Sequence, residues 1–190
     1  MARWRHSGHS VRVSREGHTV EASDDFDVAS LFKAIDERRR SRGLSWRAVA
    51  DEINASFTGV LGVRGLSAST ITRMLAKGAI EGDGALQMLI WLDRTPESFM
   101  AGVAPGAGAP LPRVGPERIL RWDPPAIHRA LEARRAERAM TWRDVAAEVG
   151  VTATSLSGLS KARRVGFPHV MRMVRWLGRP AAEFTRASLI

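Results

Sequence analysis

The 190-residue sequence has no cysteine and no tyrosine, only three lysines (Lys33, Lys77 and Lys161), and nowhere 18 apolar residues in succession. Without cysteine there is no disulfide framework, no thiolate zinc site and no cysteine nucleophile, a usage that fits a reducing compartment. The missing apolar run leaves no transmembrane helix to expect, and the opening MARWRHSGHS lacks the apolar stretch of a secretory signal. There is also no phosphate-cradling glycine loop and no pair of carboxylates in an apolar setting, so neither an enzyme nor a cofactor is expected. His6, His9 and His18 lie near one another without carboxylates or thiols around them, and no metal site is expected there. The expectation is a cytoplasmic chain with no membrane partner.

Charge is plentiful and unevenly spread. The net charge is +9, which favours a polyanionic partner without choosing among nucleic acid, anionic lipid and acidic protein. Residues 1–25 carry four arginines and four acids; residues 26–100 carry ten basic and nine acidic residues; residues 101–190 carry fifteen and seven. The last segment therefore holds nearly all of the excess.

A duplication organises the rest. Trp46-Arg47-Ala48-Val49-Ala50-Asp51-Glu52 returns 96 positions later as Trp142-Arg143-Asp144-Val145-Ala146-Ala147-Glu148. In both copies apolar residues fall at i, i+3, i+4 and i+7, the period of a short helix buried on one face. Ser45 and Thr141 stand as N-caps before them. Upstream, Val28, Leu31, Phe32 and Ile35 predict a helix that continues into Arg38-Arg39-Arg40-Ser41-Arg42 and stops at Gly43. Those cations suit either the C-terminal helix dipole or a phosphate backbone. Ile127, Ala130, Leu131, Arg134 and Arg135 repeat this helix in the second copy, opened by Pro124 and Pro125 after Asp123.

A third helix is predicted from the Ser67 cap over Ala68–Lys77, with Ile71, Met74 and Leu75 inward. Ala68, Ser69, Thr72 and Arg73 are then left on an outward face of small and polar side chains. In the second copy Thr152 caps a helix with Leu156 and Leu159 inward and Ala153, Thr154, Ser157 and Gly158 outward, followed by Lys161, Arg163 and Arg164. Such a face can approach a major groove closely, and its hydroxyls and guanidinium can reach base edges. Downstream, Met173, Trp176, Leu177, Arg179 and Phe184 repeat Met88, Trp91, Leu92, Arg94 and Phe99 at an offset of 85. The change of offset from 96 to 85 places an 11-residue insertion, Ala55 to Gly65, between helices 2 and 3 of the first copy. Its Phe57, Val60, Leu61 and Val63 imply burial against something, and Arg64 is a possible contact to DNA.

Four segments follow: an N-terminal arm or small hairpin (1–25), a first module (26–100) with the insertion at 55–65, a Gly/Ala/Pro linker (101–122), and a second module (123–190). About 22 residues separate the modules, and as a flexible chain they would span about 26 Å r.m.s. and at most roughly 75 Å.

LSWRAVADEIN with LSASTITRMLAKG, and MTWRDVAAEVG with VTATSLSGLSKAR, resemble the lambda-repressor-like helix-turn-helix family of bacterial and phage regulators, also called the XRE family. The resemblance covers about residues 27–100 and 123–187. It implies an all-α chain of two tandem five-helix domains, with the third helix of each lying in a major groove of double-stranded DNA. Carried over by position, it makes Ser69, Thr72 and Arg73, and Thr154 and Ser157, candidate base readers. Ser67 and Thr152 become phosphate contacts at a helix N-terminus. Arg47 and Arg143 flank Trp46 and Trp142, which stand where the family has a phosphate-touching glutamine. These tryptophans either donate to a phosphate or pack against the fourth helix. Lys77, Lys161, Arg163 and Arg164 are candidate backbone contacts, and Arg3 and Arg5 a possible minor-groove arm. The function implied is a nucleoid-associated transcriptional regulator, with a homodimer possible. The alternative is an antitoxin-like or adaptor protein whose near-neutral first module grips a protein partner.

Overall fold

The computed structural model describes residues 26–55, 65–104, 106–115 and 118–189. The N-terminal arm with Arg3 and Arg5, the three histidines near it, and the interior of the insertion with Arg64 lie outside these residues.

The first module contains α1 (Val28–Ser41), α2 (Trp46–Asn54), α3 (Ala68–Thr72), α4 (Met74–Lys77), β1 (Ile80–Glu81), α5 (Gly82–Leu92) and a 3-10 turn at Pro96–Phe99. The second contains β2 (Arg118–Trp122), α6 (Pro124–Glu137), α7 (Trp142–Val149) and α8 (Ala153–Gly158), which runs into a 3-10 turn at Leu159–Lys161. It ends with β3 (Gly166–Phe167), α9 (His169–Leu177), a 3-10 turn at Ala181–Phe184 and β4 (Thr185–Leu189). The cap residues act locally as their chemistry dictates. Asp27, Ser45, Ser67, Asp123, Thr141 and Thr152 each accept a hydrogen bond from the backbone N–H three residues on. Thr141 and Asp144 complete a reciprocal capping box.

The expected all-α architecture is corrected by two antiparallel two-stranded sheets, β1 with β3 and β2 with β4. Ile80 pairs with Phe167 and Glu81 with Gly166, while Arg118–Trp122 pairs with Thr185–Leu189 in reverse order. Strands of two and five residues are too short to declare themselves by alternation, and each finds its partner more than 60 positions away. The third helix of the first copy also departs from expectation. It breaks at Arg73 into α3 and α4, and the changed phase leaves Leu75 46% exposed while Ile71 and Met74 are buried.

Both modules contribute to one continuous core. In α5 every residue from Gly82 to Leu89 is buried, the condition of a helix covered on all sides. The first module covers one side and β2 and β3 the other. Trp122, 1% exposed, donates its indole N–H to Gly82 O at 3.2 Å and its backbone N–H to Asp83 at 3.1 Å. Arg121 donates to the same carboxylate at 2.7 Å, and the buried Gln87 donates to Leu120 O at 2.9 Å. Phe167 meets both Phe26 and Trp122 edge-on, with ring centroids 4.4 and 5.7 Å apart. Gly82 is obligatory here, because a Cβ would lie 2.2 Å from Val165 O.

The connecting stretch follows the first module instead of hanging free. Leu111 and Val114 pack against the core, Thr95 Oγ1 donates to Ala107 O, and the last five residues of the stretch form β2.

Candidate nucleic-acid interface

Each pair of short helices is held by the same brace. Arg42, beyond the end of α1, grips Glu52 of α2 with two hydrogen bonds of 2.6 and 2.9 Å, and Trp91 of α5 donates its indole N–H to the same carboxylate at 2.9 Å. In the second module Arg138 grips Glu148 at 2.7 and 3.0 Å, and Trp176 donates at 2.8 Å. Arg38 lies over Trp91 and Arg134 over Trp176, at 4.9 and 5.0 Å from the ring centroids. Three elements are thus tied to one carboxylate in each module, which fixes the position of the second helix. The repetition of Arg, Glu and Trp is visible in the sequence, but the joint role of residues as far apart as Arg42 and Trp91 is not.

These contacts also resolve the basic run. Arg39 pairs with Asp36, donates to Leu44 O and lies over Trp46; Arg40 pairs with Asp36. Arg135 repeats this with Glu132, Met140 O and Trp142. The run stabilises its own helix and its neighbours. The tryptophans at the start of α2 and α7 pack on the first helix of their module. Trp46 stacks on Phe32 with ring centroids 5.3 Å apart, and Trp142 meets His128 at 5.2 Å.

Glu52 and Glu148 are both held below their ordinary value of 4.5, first by the hydrogen bonds from Arg42 and Arg138 and then by those from the two indoles. A carboxylate whose native pKa is depressed contributes stability above its unfolded value and loses it as pH falls through the native one. Denaturant midpoints are therefore expected to decline below about pH 5. The double variant Glu52→Gln, Glu148→Gln should start lower at neutral pH and decline less steeply on acidification. Parallel acid curves for the two proteins would contradict the brace.

The outward face is built on these supports. In the first module the Ser67 hydroxyl caps α3 at 3.2 Å from Thr70 N and lies 2.9 Å from both the Ser69 and Thr70 hydroxyls. Ser69, Thr72, Arg73 and Lys77 are exposed. The insertion does not disturb this arrangement, because Asn54 clamps its base. Its amide donates to Leu66 O at 2.7 Å and its carbonyl accepts from Leu66 N at 2.8 Å. In the second module Thr154, Ser157, Lys161, Arg163 and Arg164 are exposed, and the Ser157 hydroxyl turns back to Thr154 O at 3.2 Å.

The side chains of Arg73, Lys77, Arg143, Lys161, Arg163 and Arg164 form no ion pair or hydrogen bond among the described residues, whereas Arg47 makes only a 4.0 Å approach to Asp51 with both side chains largely exposed. The contrast with Arg38, Arg39, Arg40, Arg134 and Arg135 separates engaged cations from available ones. Five of the available side chains lie in or just after the small-residue faces of the third helices, while Arg118, Arg129 and Arg186 are equally exposed and unpaired among the described residues on β2, α6 and β4.

No family model, curated protein or solved structure matches the chain. Among the described residues there is no group of three or more metal-ligating side chains, and no helix long and apolar enough to cross a membrane. A cleft of about 760 Å³ lies between the end of α5 and the connecting stretch, with Arg38, Arg94, Trp91 and Arg113 on its walls. It is remote in sequence from the two hydroxyl-rich faces and was not foreseen from the sequence, because the connecting stretch that roofs it reads as linker.

Proposed function

We propose that this chain is a sequence-specific double-stranded DNA-binding protein of the lambda-repressor-like helix-turn-helix type, acting as a transcriptional regulator through two unlike reading faces. One observation supports this most. Among the described residues, free cationic side chains stand in or just after both exposed hydroxyl-rich faces, while Arg38, Arg39, Arg40, Arg134 and Arg135 of the first helices are taken up by carboxylates, carbonyls and tryptophan rings and Arg129 of α6 is left exposed. Phosphate contacts supply affinity and base-edge contacts supply sequence preference. In this reading Lys77, Lys161, Arg163, Arg164, Arg47 and Arg143 approach phosphates, and Ser69, Thr72, Arg73, Thr154 and Ser157 approach bases. Arg73 is the one long base reader of the set, suited to a guanine O6 and N7.

Selection of bound duplexes from a random pool, at fixed salt, tests the proposal. An enriched consensus is expected. Arg73→Ala should relax it at one base pair, with a loss of about 1–3 kcal/mol of discrimination and little change in affinity for unrelated sequence. A pool that returns unenriched would contradict the proposal.

The exposed Leu75 beside the reading face of the first module favours a second reading, in which residues 26–100 grip a protein. Stoichiometric co-purification of such a partner, together with an unenriched pool, would support that reading instead.

A further inference from the structure

The two modules are related by a local two-fold axis. The offset of 85 that aligns their C-terminal halves carries Glu81 onto Gly166, and these two residues are each other's strand partners. The same operation carries the Ile80–Phe167 pair onto Val165 and Gly82, where Gly82 N–H donates to Val165 O at 2.9 Å. The axis passes between Glu81 and Gly166. Trp122 seated on Gly82, the Asp83–Arg121 pair, the Gln87 bond to Leu120 O and the Ala181 N–H donated to Glu97 at 2.6 Å lock the modules around it.

We infer that one chain binds one continuous duplex as a built-in pseudo-dimer, with two unlike half-sites held at a single fixed spacing on either side of this axis. The inference rests on the DNA-binding reading and adds to it the arrangement and stoichiometry of the target.

Chain length limits how far each face can lie from the axis. From Thr72 to Glu81 the chain has a helical stretch and four extended residues, which reach at most about 21 Å. From Ser157 to Gly166 the corresponding limit is about 25 Å. With about 5 Å between the paired Glu81 and Gly166, the faces are within about 51 Å of each other, which includes the roughly 34–36 Å between successive major grooves on one side of a duplex. A two-fold relation gives the faces the opposed directions that two half-sites on antiparallel strands require.

The side chains break the symmetry that the backbone keeps. At equivalent positions Thr72 faces Ser157, Arg73 faces Gly158, Leu75 faces Ser160, and Gly78 and Ala79 face Arg163 and Arg164. The half-site under the first module is thus read by the longer side chains, and the half-site under the second is held chiefly through its backbone. A chain of this kind binds its target in one orientation.

The test uses the full chain and the duplex recovered by selection, with 5 or 10 base pairs inserted between the half-sites. Both insertions should lower affinity by about 10²-fold or more, to the level of a single half-site, since linked binding contributes about that factor. Sedimentation should give one chain per uninserted duplex. If the 10-base-pair insertion binds as the original does, the modules act as tethered units and the inference is overturned while DNA binding stands. Two chains per duplex would overturn it equally. If no duplex binds at all, the DNA-binding reading falls and the inference with it.

Discussion

Changing Lys161, Arg163 and Arg164 to alanine together should lower the affinity for duplex DNA by about 10²-fold at 0.15 M salt and flatten the salt dependence. Each cation placed on a phosphate releases about 0.9 counterion. Removing three such contacts takes about 2.7 from the slope of log K against log salt, and at 0.15 M that slope is worth about 2.2 decades. None of the three side chains has an ion-pair partner among the described residues and all are exposed, so the loss should not be confused with unfolding. Residues 101–190 carry fifteen basic and seven acidic residues, which makes this end the natural source of the electrostatic affinity. Binding isotherms at four salt concentrations, with thermal melts of both proteins, would measure it. An unchanged slope would remove the second module's turn from the interface.

Trp122→Ala should be the most damaging single change to stability. The side chain is 1% exposed, meets Phe167 edge-on, and donates to Gly82 O across the module boundary. Truncation of a buried tryptophan costs about 3–5 kcal/mol from lost transfer and the cavity left behind. For a chain of this size that corresponds to a fall of about 6–20 °C in Tm. Trp122→Phe should recover much of the packing while losing the hydrogen bond. A loss under about 1 kcal/mol in the alanine variant would mean that the modules do not share a core in solution.

The local elements were legible in the sequence wherever one face is apolar and a hydroxyl or carboxylate marks the start. The Ser45, Thr141, Ser67 and Thr152 caps open α2, α7, α3 and α8 at the residues where they were expected. The candidate cations and hydroxyls could be named for the same reason, since outward positions follow from the inward ones. What the sequence did not disclose is how the copies meet. The interface uses two-residue strands, a glycine whose necessity depends on Val165 more than 80 positions away, and Asp83 and Gln87 placed in an otherwise apolar helix. One signal was available. GDGALQMLIWL lacks a polar face, and a helix covered by one small module alone would have kept one. Leu75, expected inward from an unbroken period, is exposed because the break at Arg73 shifts the phase by part of a turn.

The central claim is that the faces carrying Ser69, Thr72 and Arg73, and Thr154, Ser157 and Lys161, are the surface that meets DNA. Titration of the isotopically labelled full chain with a selected duplex, followed by amide chemical shifts, measures this residue by residue. Shifts are expected to concentrate in Ser67–Lys77 and Thr152–Arg164, with Arg47 and Arg143 beside them, and to leave α1 and α6 nearly unmoved. Shifts confined to other surfaces, or none at low salt with any duplex, would contradict it.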